Sequence, residues 1–466
     1  MNLSFPAQAD LAADHAYVVE LAPRPAAAAS RPAGSWVVVG GGAVGAALAE
    51  ALGGVLVAVG GGGDPEATLA AVEAAVTAAM APDCAGVACL AALDGGLDHP
   101  GGAVEANERT VLAACAAALG VARAAAARSG VVVVATRGAL PGDLYHAAAA
   151  PGAAVWGLAR TFACEFAGAV RCVDLCPDET SAAEDAAAVA LEVAAGPGES
   201  AWRRRRRCGP ALARLAVATD ADAGALAGDH VVTGGAGGLG RAWAAHVARA
   251  AGAAASLVLA GRRRPDRDLL DFAASLANET GAAVAAASGD CASRADAARL
   301  ARPHVWHLAG VVGSASVAAV AWRDFDDVCR PKVAGSLCLD AASRAGPSAT
   351  FVMFSSVYGV LASRDLCHYA AANAFQDGFA RCRRAAGAPA TAVAWGTWAG
   401  AGMARRRVEI NRWNALAGKN FKPLHLDHIA IDLADFWANR VLSSSSRSTA
   451  KELASKPSHT RPLKSG

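Results

Sequence analysis

Short runs of apolar residues recur along the chain, and alanine-rich stretches separate them. Runs that are continuously apolar, without alternating polar positions, are typical of parallel strands covered by helices on both faces. The strands predicted in this way are residues 36–39, 55–59, 131–135, 230–233, 256–260, 284–288, 305–308 and 350–354. The pattern therefore predicts an α/β fold with parallel sheets.

The order strand, glycine turn, helix occurs twice, at residues 36–52 and 230–250. We expect the helices to begin at Ala46 in the first copy and at Arg241 in the second. A further apolar strand follows each helix, as in the β-α-β units that wind a parallel sheet. The chain is therefore predicted to form two Rossmann-like, doubly wound halves.

Composition narrows the class of protein. Of 466 residues, 54% are hydrophobic and only 5% aromatic, which excludes a disordered chain. The 43 Lys and Arg residues nearly balance the 41 Asp and Glu residues, so the chain has no strong overall positive charge that would favour binding to nucleic acid. The longest apolar stretch, 110–128, contains Arg123, and we therefore expect no membrane span.

Twelve cysteines are scattered along the chain without a Cys-x-x-Cys motif or nearby histidines, so no metal site is predicted. Reduced, buried thiols are the preferred interpretation. The N-terminus has no basic region followed by an apolar run, which argues against a secretory signal. We expect a cytoplasmic chain, with organelle targeting left open.

The second glycine turn has the surroundings of a dinucleotide-binding loop. Residues 233–240 (Thr-Gly-Gly-Ala-Gly-Gly-Leu-Gly) join a strand to a helix, so the backbone can approach a pyrophosphate at the helix N-terminus. Arg262 and Arg263 follow the next strand, where an NAD site usually has an acid, and arginine suits the 2′-phosphate of NADPH. The residues predicted to bind NADPH are Thr233, Gly234, Gly235, Gly237, Gly238, Leu239, Gly240, Arg262, Arg263, Asp290, Cys291, Ala309 and Gly310. His307 is interpreted as a packed strand histidine.

The first glycine turn lacks these surroundings. After its second strand come residues 60–63 and Asp64, with no arginine, and no candidate catalytic set follows. We interpret this copy as free of cofactor, with glycines that serve packing.

A serine and a tyrosine follow the strand 350–354 at an informative spacing. Ser356 precedes Tyr369 by 13 residues, as in short-chain dehydrogenase/reductases. The position four residues after the tyrosine, where that superfamily usually has lysine, holds Asn373. A lysine lies upstream instead, at Lys332, on the preceding helix.

This exchange of lysine and asparagine resembles the ketoreductase domains of modular polyketide synthases and animal-type fatty acid synthases. Residues 233–240, 307–311 and 394–398 match further segments of that family, and residues 156–160 resemble its structural subdomain. The resemblance covers about residues 15–430. It implies a truncated structural subdomain beside a catalytic subdomain that binds NADPH.

The expected organisation is a structural Rossmann-like subdomain without cofactor over residues 1–228 and a catalytic NADPH-binding subdomain over 229–440. Residues 441–466, rich in serine, lysine and proline, are expected to form a disordered tail. The join is placed near 197–229. The arginine run at 203–207 is interpreted there as a solvated charge cluster rather than a nucleic-acid site.

The resemblance implies reduction of a β-ketoacyl thioester on acyl carrier protein to the β-hydroxyacyl product, with other synthase domains as further partners. Tyr369 would donate a proton to the ketone oxygen. A Lys332 ammonium would lower the pKa of Tyr369 and hold the nicotinamide ribose. Ser356 would hydrogen-bond the carbonyl, and Asn373 would order a water or position Lys332.

The chain departs from this family at several positions. Residues 312–314 replace the Leu-Asp-Asp of one stereochemical class and Leu361 replaces the tryptophan of the other, so the product configuration is open. Only 16 residues separate Asp290 from His307, which is enough for one helix. From residues 404–407 onward the chain is hard to align with the family's lid helix, which leaves substrate gating open.

Two other functions remain open. One is a short-chain reductase of a free small ketone. The other is a non-catalytic scaffold that keeps the fold of a reductase for packing within a synthase.

Overall fold

The computed structural model describes residues 17–25, 33–59, 63–97, 103–128, 130–141, 149–178, 180–214, 226–344, 346, 348–361, 363–396, 398–399 and 424–425. They form two α/β halves, each built around one large sheet. The expected tail at 441–466 and the unaligned residues 404–407 lie outside the described residues.

The first half alternates strands and helices. Its strands are β1 (Tyr17–Pro23), β2 (Ser35–Val39), β3 (Val55–Val57), β4 (Cys84–Cys89), β5 (Val131–Arg137), β6 (Ala169–Leu175), β7 (Gly198–Arg203) and β8 (Arg206–Arg214). Its helices are α1 (Gly42–Leu52), α2 (Pro65–Ala79), α3 (Val104–Ala126), α4 (Ala149–Glu165) and α5 (Ala182–Val193).

The second half repeats the alternation. Its strands are β9 (Gly228–Thr233), β10 (Ala255–Gly261), β11 (Ala283–Ser288), β12 (His304–His307), β13 (Thr350–Ser356) and β14 (Thr391–Trp395). Its helices are α6 (Gly238–Ala251), α7 (Arg267–Thr280), α8 (Arg294–Leu300), α9 (Trp322–Cys329), α10 (Val333–Ser343) and α11 (Cys367–Ala385). Two short strands, β15 (Trp398–Ala399) and β16 (Leu424–His425), pair separately.

The sheet of the second half has the strand order β11-β10-β9-β12-β13-β14, with every pair parallel. This is the 3-2-1-4-5-6 order of the dinucleotide-binding fold. The order reverses between β9 and β12, where Thr233 lies opposite His307. Ligands of such sheets bind in the crevice outside the carboxyl ends of the strands at this point.

The sheet of the first half has the order β1-β8-β7-β6-β5-β4-β2-β3. Strands β2 to β7 pair in parallel, whereas β8 runs antiparallel to both β7 and β1. The prediction of two Rossmann-like halves with parallel sheets is confirmed. The antiparallel extension by β8 and β1 was not predicted.

The predicted strands are present, but two local predictions need correction. Helices α1 and α6 begin at Gly42 and Gly238, four and three residues earlier than expected, so each helix starts within its glycine turn. The arginine run, expected as a solvated charge cluster at the join, is only partly solvated. It forms the tight turn between β7 and β8, where Arg203 pairs with the buried Asp174 and Arg207 with the buried Glu192.

Helix α4 of the first half packs closely against α11 of the second. A Cβ atom on Gly157 would lie 2.5 Å from the carbonyl oxygen of Ala370, so only glycine admits this approach. At the end of α4, the Glu165 carboxylate accepts hydrogen bonds from the backbone nitrogens of Val317 and Asp365, each at 2.7 Å. The first half therefore supports both α11 and the loop before it.

Helix α3 is the only helix in the described part of the chain that is long and apolar enough to cross a membrane. Its most apolar stretch of 18 residues is 78% buried, because α2, α4 and α10 pack around the helix. None of the twelve cysteines, all of which lie in the described part of the chain, forms a disulfide, and nine are buried, in agreement with the prediction of reduced, buried thiols.

Candidate active site

A cavity of about 920 Å³ opens at the carboxyl ends of β9, β10, β12 and β13. It lies at the switch point of the second sheet, as the strand order requires. The predicted site residues that line it are Thr233, Gly234, Gly237, Gly238, Leu239, Gly240, Arg262, Arg263, Asp290, Cys291, Ala309, Gly310, Lys332, Ser356 and Tyr369. Gly235 and Asn373, also predicted, do not line it.

The glycine turn between β9 and α6 forms one wall of the cavity. Gly234 has φ +72°, a conformation that favours glycine. A Cβ atom on Gly240 would lie 2.4 Å from the carbonyl oxygen of Gly234, so this glycine lets α6 begin against the strand. The first residue before α6, Gly237, provides no capping side chain, and the helix N-terminus therefore presents its backbone amides to the cavity. Gly235 instead packs against Leu259, which explains why it does not line the cavity.

A buried hydrogen-bond chain fixes the turn to the neighbouring strand. The Thr233 hydroxyl lies 2.7 Å from His307 Nδ1 and accepts a hydrogen bond from the backbone nitrogen of Ala309 at 3.2 Å. Burial lowers the pKa of His307 to about 3, so its imidazole is neutral. His307 is thus a packed strand histidine, as predicted, and it does not line the cavity.

The far end of the cavity is basic. Arg262 and Arg263 are exposed and line it directly after β10. Asp290 and Cys291 line the adjacent wall after β11, but burial raises the pKa of the Cys291 thiol to about 12 and keeps it protonated. The single short helix that the sequence allows before His307 is present as α8.

The opposite end holds the serine and the tyrosine. Ser356 ends β13, and its hydroxyl forms a hydrogen bond with the Tyr369 hydroxyl. The neighbouring Ser355 points differently, since its hydroxyl donates to the Asn373 carbonyl oxygen at 3.1 Å and lies near the Asp377 carboxyl. The structure therefore separates the two serines that the sequence places side by side.

The pKa of Tyr369 differs from expectation. The sequence analysis expected a Lys332 ammonium to lower it. In the structure burial raises the pKa of Tyr369 above its usual value, and the neighbouring Ser356 and Asn373 side chains offset only part of this rise. The Lys332 ammonium is hydrogen-bonded to Phe354 and Gln376 instead.

Lys332 lies between α9 and α10, directly before the first residue of α10 rather than within a helix. It is only 3% exposed. Its Nζ atom donates to the Phe354 carbonyl oxygen at 2.7 Å and to Gln376 Oε1 at 3.0 Å. Burial lowers the pKa of Lys332 to about 7, and Asp377 offsets part of that fall.

Of the two roles expected for Asn373, ordering a water stays a prediction, and its side-chain amide bonds the helix rather than Lys332. The Asn373 amide nitrogen donates to the Tyr369 carbonyl oxygen one turn earlier, at 2.7 Å. The contact with Lys332 comes instead from Gln376, which the sequence analysis missed. The spacing Tyr369, Asn373, Gln376 (i, i+4, i+7) places all three on one helix face and could have indicated it.

Asp377 was also missed. Burial raises the pKa of its carboxyl to about 6, although Ser355, Arg381 and Lys332 favour the charged form. In the described part of the chain, no group of three or more His, Cys, Asp or Glu side chains could hold a metal ion.

The parallel sheet, the glycine turn facing a cavity, and the Ser356, Tyr369 and Lys332 set together define the short-chain dehydrogenase/reductase class. Comparisons with known proteins give the family. Residues 228–400 match the family model described as KR domain, and residues 19–212 match the Rossmann fold domain of the polyketide synthase extender module SpnB. The chain belongs to the ketoreductase domains of polyketide synthases.

Relatives of known identity agree with this assignment. The chain is 42% identical over 192 residues to erythronolide synthase EryA3 of Saccharopolyspora erythraea, an alignment that covers 38% of this chain and 6% of that protein. It is 41% identical over 184 residues to the spectinabilin polyketide synthase system protein NorB of Streptomyces orinoci, covering 38% of this chain and 8% of that protein. The chain thus spans less than a tenth of the length of these relatives.

Solved ketoreductases share the whole fold. An A1-type ketoreductase superposes with a TM-score of 0.77 at 26% identity, covering 92% of this chain and 91% of that one. A C2-type ketoreductase from a modular polyketide synthase superposes with a TM-score of 0.70, also at 26% identity, covering 91% and 90%. The chain is thus equally identical to these two types of ketoreductase.

Proposed function

We propose that the chain reduces a β-ketoacyl thioester carried by acyl carrier protein to the β-hydroxyacyl product, with NADPH as reductant. One observation carries the proposal: a single cavity has the glycine turn and two arginines at one end and Ser356, Tyr369 and Lys332 at the other. A dinucleotide that spans this cavity brings its nicotinamide to the tyrosine.

The residues present fit NADPH. The glycine turn leaves no side chain between the N-terminus of α6 and the cavity, which suits a pyrophosphate. Arg262 and Arg263 suit the 2′-phosphate that distinguishes NADPH from NADH. Ala309 and Gly310 leave room on the opposite wall, and a Cβ atom on Gly310 would lie 3.0 Å from Lys332 Cε. Bound NADPH supplies the hydride.

The protein's own groups carry the proton and the charge. Tyr369 donates its hydroxyl proton to the ketone oxygen, and its raised pKa keeps that proton in place until the oxygen becomes basic. Ser356 hydrogen-bonds the same oxygen and stabilises the charge that develops on it. Lys332 holds the nicotinamide ribose with the donor that its two protein partners leave over.

The substrate class and the partners follow from the family. The relatives are polyketide synthase proteins, and we propose that acyl carrier protein and the other synthase domains are the partners of this chain. We also propose the division into a structural subdomain over 1–228 without cofactor and a catalytic subdomain over 229–440.

Incubation with NADPH and a β-ketoacyl N-acetylcysteamine thioester, followed by chiral analysis of the product, tests the proposal. We expect turnover of the thioester and a single alcohol configuration, with a simple cyclic ketone reduced more slowly. A strong preference for the free ketone would overturn the carrier-linked substrate. Failure to bind NADPH at submillimolar concentration in a fluorescence titration would favour the scaffold instead.

A further inference from the structure

Lys332 is buried, and its ammonium needs acceptors that replace water. An ammonium has three N–H donors. The Phe354 carbonyl oxygen takes one at 2.7 Å and Gln376 Oε1 takes another at 3.0 Å. One donor is left for the cavity that Lys332 lines.

Both acceptors are uncharged, so the charge of Lys332 depends on how well they solvate it. The titratable groups that face it are Asp377 on α11, Cys291 after β11 and His307 on β12. His307 is neutral and the Cys291 thiol is protonated, which leaves Asp377 as the one carboxyl in this set. Under these conditions the loss of one polar acceptor changes the balance between ammonium and amine.

Gln376 is built into the site rather than placed there by chance. Its side chain is fully buried, and its Nε2 atom lies 3.5 Å from the Ser336 hydroxyl on α10. Gln376 lies two helical turns after Tyr369 on α11, so one rigid helix sets the position of both the tyrosine and the acceptor of the lysine.

We infer that Gln376 is the positioning residue of Lys332: its amide oxygen fixes the direction of the ammonium and stabilises the charged form. The inference deepens the proposed function, on which it rests for the task of Lys332 at the cofactor. It assigns to Gln376 the part that the sequence suggested for Asn373.

Titration of Lys332 by NMR tests this directly. The chain has six lysines, and Lys332 is the only one before residue 419, so protein with 13C-labelled lysine gives few signals. Lys332→Met identifies the signal. We expect the midpoint to fall by about one pH unit in Gln376→Leu, which removes the acceptor, and to rise by about one unit in Gln376→Glu, which adds a charge.

A matched control removes the other partner of the glutamine. Ser336→Ala leaves the acceptor in place and is expected to move the midpoint much less. If Gln376→Leu and Gln376→Glu both leave the midpoint unchanged, Gln376 only packs and the inference is overturned. If Gln376→Leu fails to fold, as judged by near-ultraviolet circular dichroism, Gln376→Glu decides alone. A higher Lys332 midpoint in that variant then supports the inference, and an unchanged midpoint overturns it.

Kinetics separate this inference from the proposed function. If the ammonium is the working form, the high-pH limb of kcat/KM moves with the NMR midpoint, down in Gln376→Leu and up in Gln376→Glu. A wild-type chain without reductase activity would defeat the proposed function, whereas the order of NMR midpoints would still decide the role of Gln376.

Discussion

The two glycine turns of the molecule are built alike and lie in different surroundings. Gly40 and Gly234 follow equivalent first strands with φ of +69° and +72°. A Cβ atom on Gly45 would lie 2.0 Å from the Gly40 carbonyl oxygen, and one on Gly240 would lie 2.4 Å from that of Gly234. In both halves, therefore, the glycines let a helix start directly against the sheet.

The two turns differ in the segment that faces them. This segment follows β4, the neighbour of β2, in the first half and β12, the neighbour of β9, in the second. In the first half this segment supplies Asp94, whose carboxylate accepts a hydrogen bond from the backbone nitrogen of Gly41 at 2.9 Å. In the second half the corresponding segment is Ala309 and Gly310, which line the cavity and bring no carboxylate to the turn. The same type of helix N-terminus meets a carboxylate in one half and an open cavity in the other.

A helix N-terminus with free amides attracts an anion. Asp94 provides one from within the chain, at the place where a phosphate would bind. This arrangement supports the prediction that the first half takes no cofactor. It also shows that a glycine pattern alone does not distinguish a binding site from a packed turn.

The largest expected effect tests whether the chemistry belongs to the second half alone. Tyr369→Phe removes the proposed proton donor and should lower kcat by about 10²- to 10⁴-fold while NADPH affinity is retained. Steady-state kinetics and fluorescence titration measure the two effects. Tyr358→Phe is the matched control, since Tyr358 is the other phenol that lines the cavity. Substantial residual turnover in Tyr369→Phe would remove Tyr369 as the acid.

A pair of equivalent substitutions separates the two turns. Gly240→Ala and Gly45→Ala each force a Cβ atom onto a backbone carbonyl, so each should cost about 1–3 kcal/mol of unfolding free energy. Only Gly240→Ala should also weaken NADPH binding, by about tenfold, a loss of about 1.4 kcal/mol. Thermal unfolding and fluorescence titration provide the readouts. Equal losses of NADPH affinity in both variants would contradict the comparison.

Local patterns predicted much of this molecule. Apolar runs and glycine turns are local features, and they gave the strands and both turns. The contacts that distinguish the halves join distant residues: Gly41 and Asp94 are 53 positions apart, and Lys332 and Gln376 are 44. Packing of whole helices sets such contacts, and the burial that raises the pKa of Tyr369 has the same origin.

A third prediction concerns the arginines, which the first turn lacks. Arg262→Ala removes a proposed charged partner of the 2′-phosphate, so the preference for NADPH over NADH should fall by about tenfold. The ratio of kcat/KM for the two cofactors measures it. Arg267→Ala is the control, because Arg267 is also exposed but does not line the cavity. If the ratio is unchanged in Arg262→Ala, either Arg263 binds the 2′-phosphate or neither arginine does.

The smallest expected effect concerns Asp94. Asp94→Ala leaves the Gly41 amide without its acceptor. Since solvent reaches Asp94, the loss should be about 1 kcal/mol of unfolding free energy. Asp94→Asn keeps an oxygen acceptor without the charge, so it should lose less unfolding free energy than Asp94→Ala. Chemical denaturation measures both variants.

NADPH binding decides what the Asp94 carboxylate does. Both variants should bind one NADPH per chain with unchanged affinity, because the site lies in the other half. A second equivalent bound by Asp94→Ala would instead mean that the first turn is a working dinucleotide site that Asp94 closes. The two turns would then differ by one side chain rather than by their whole surroundings.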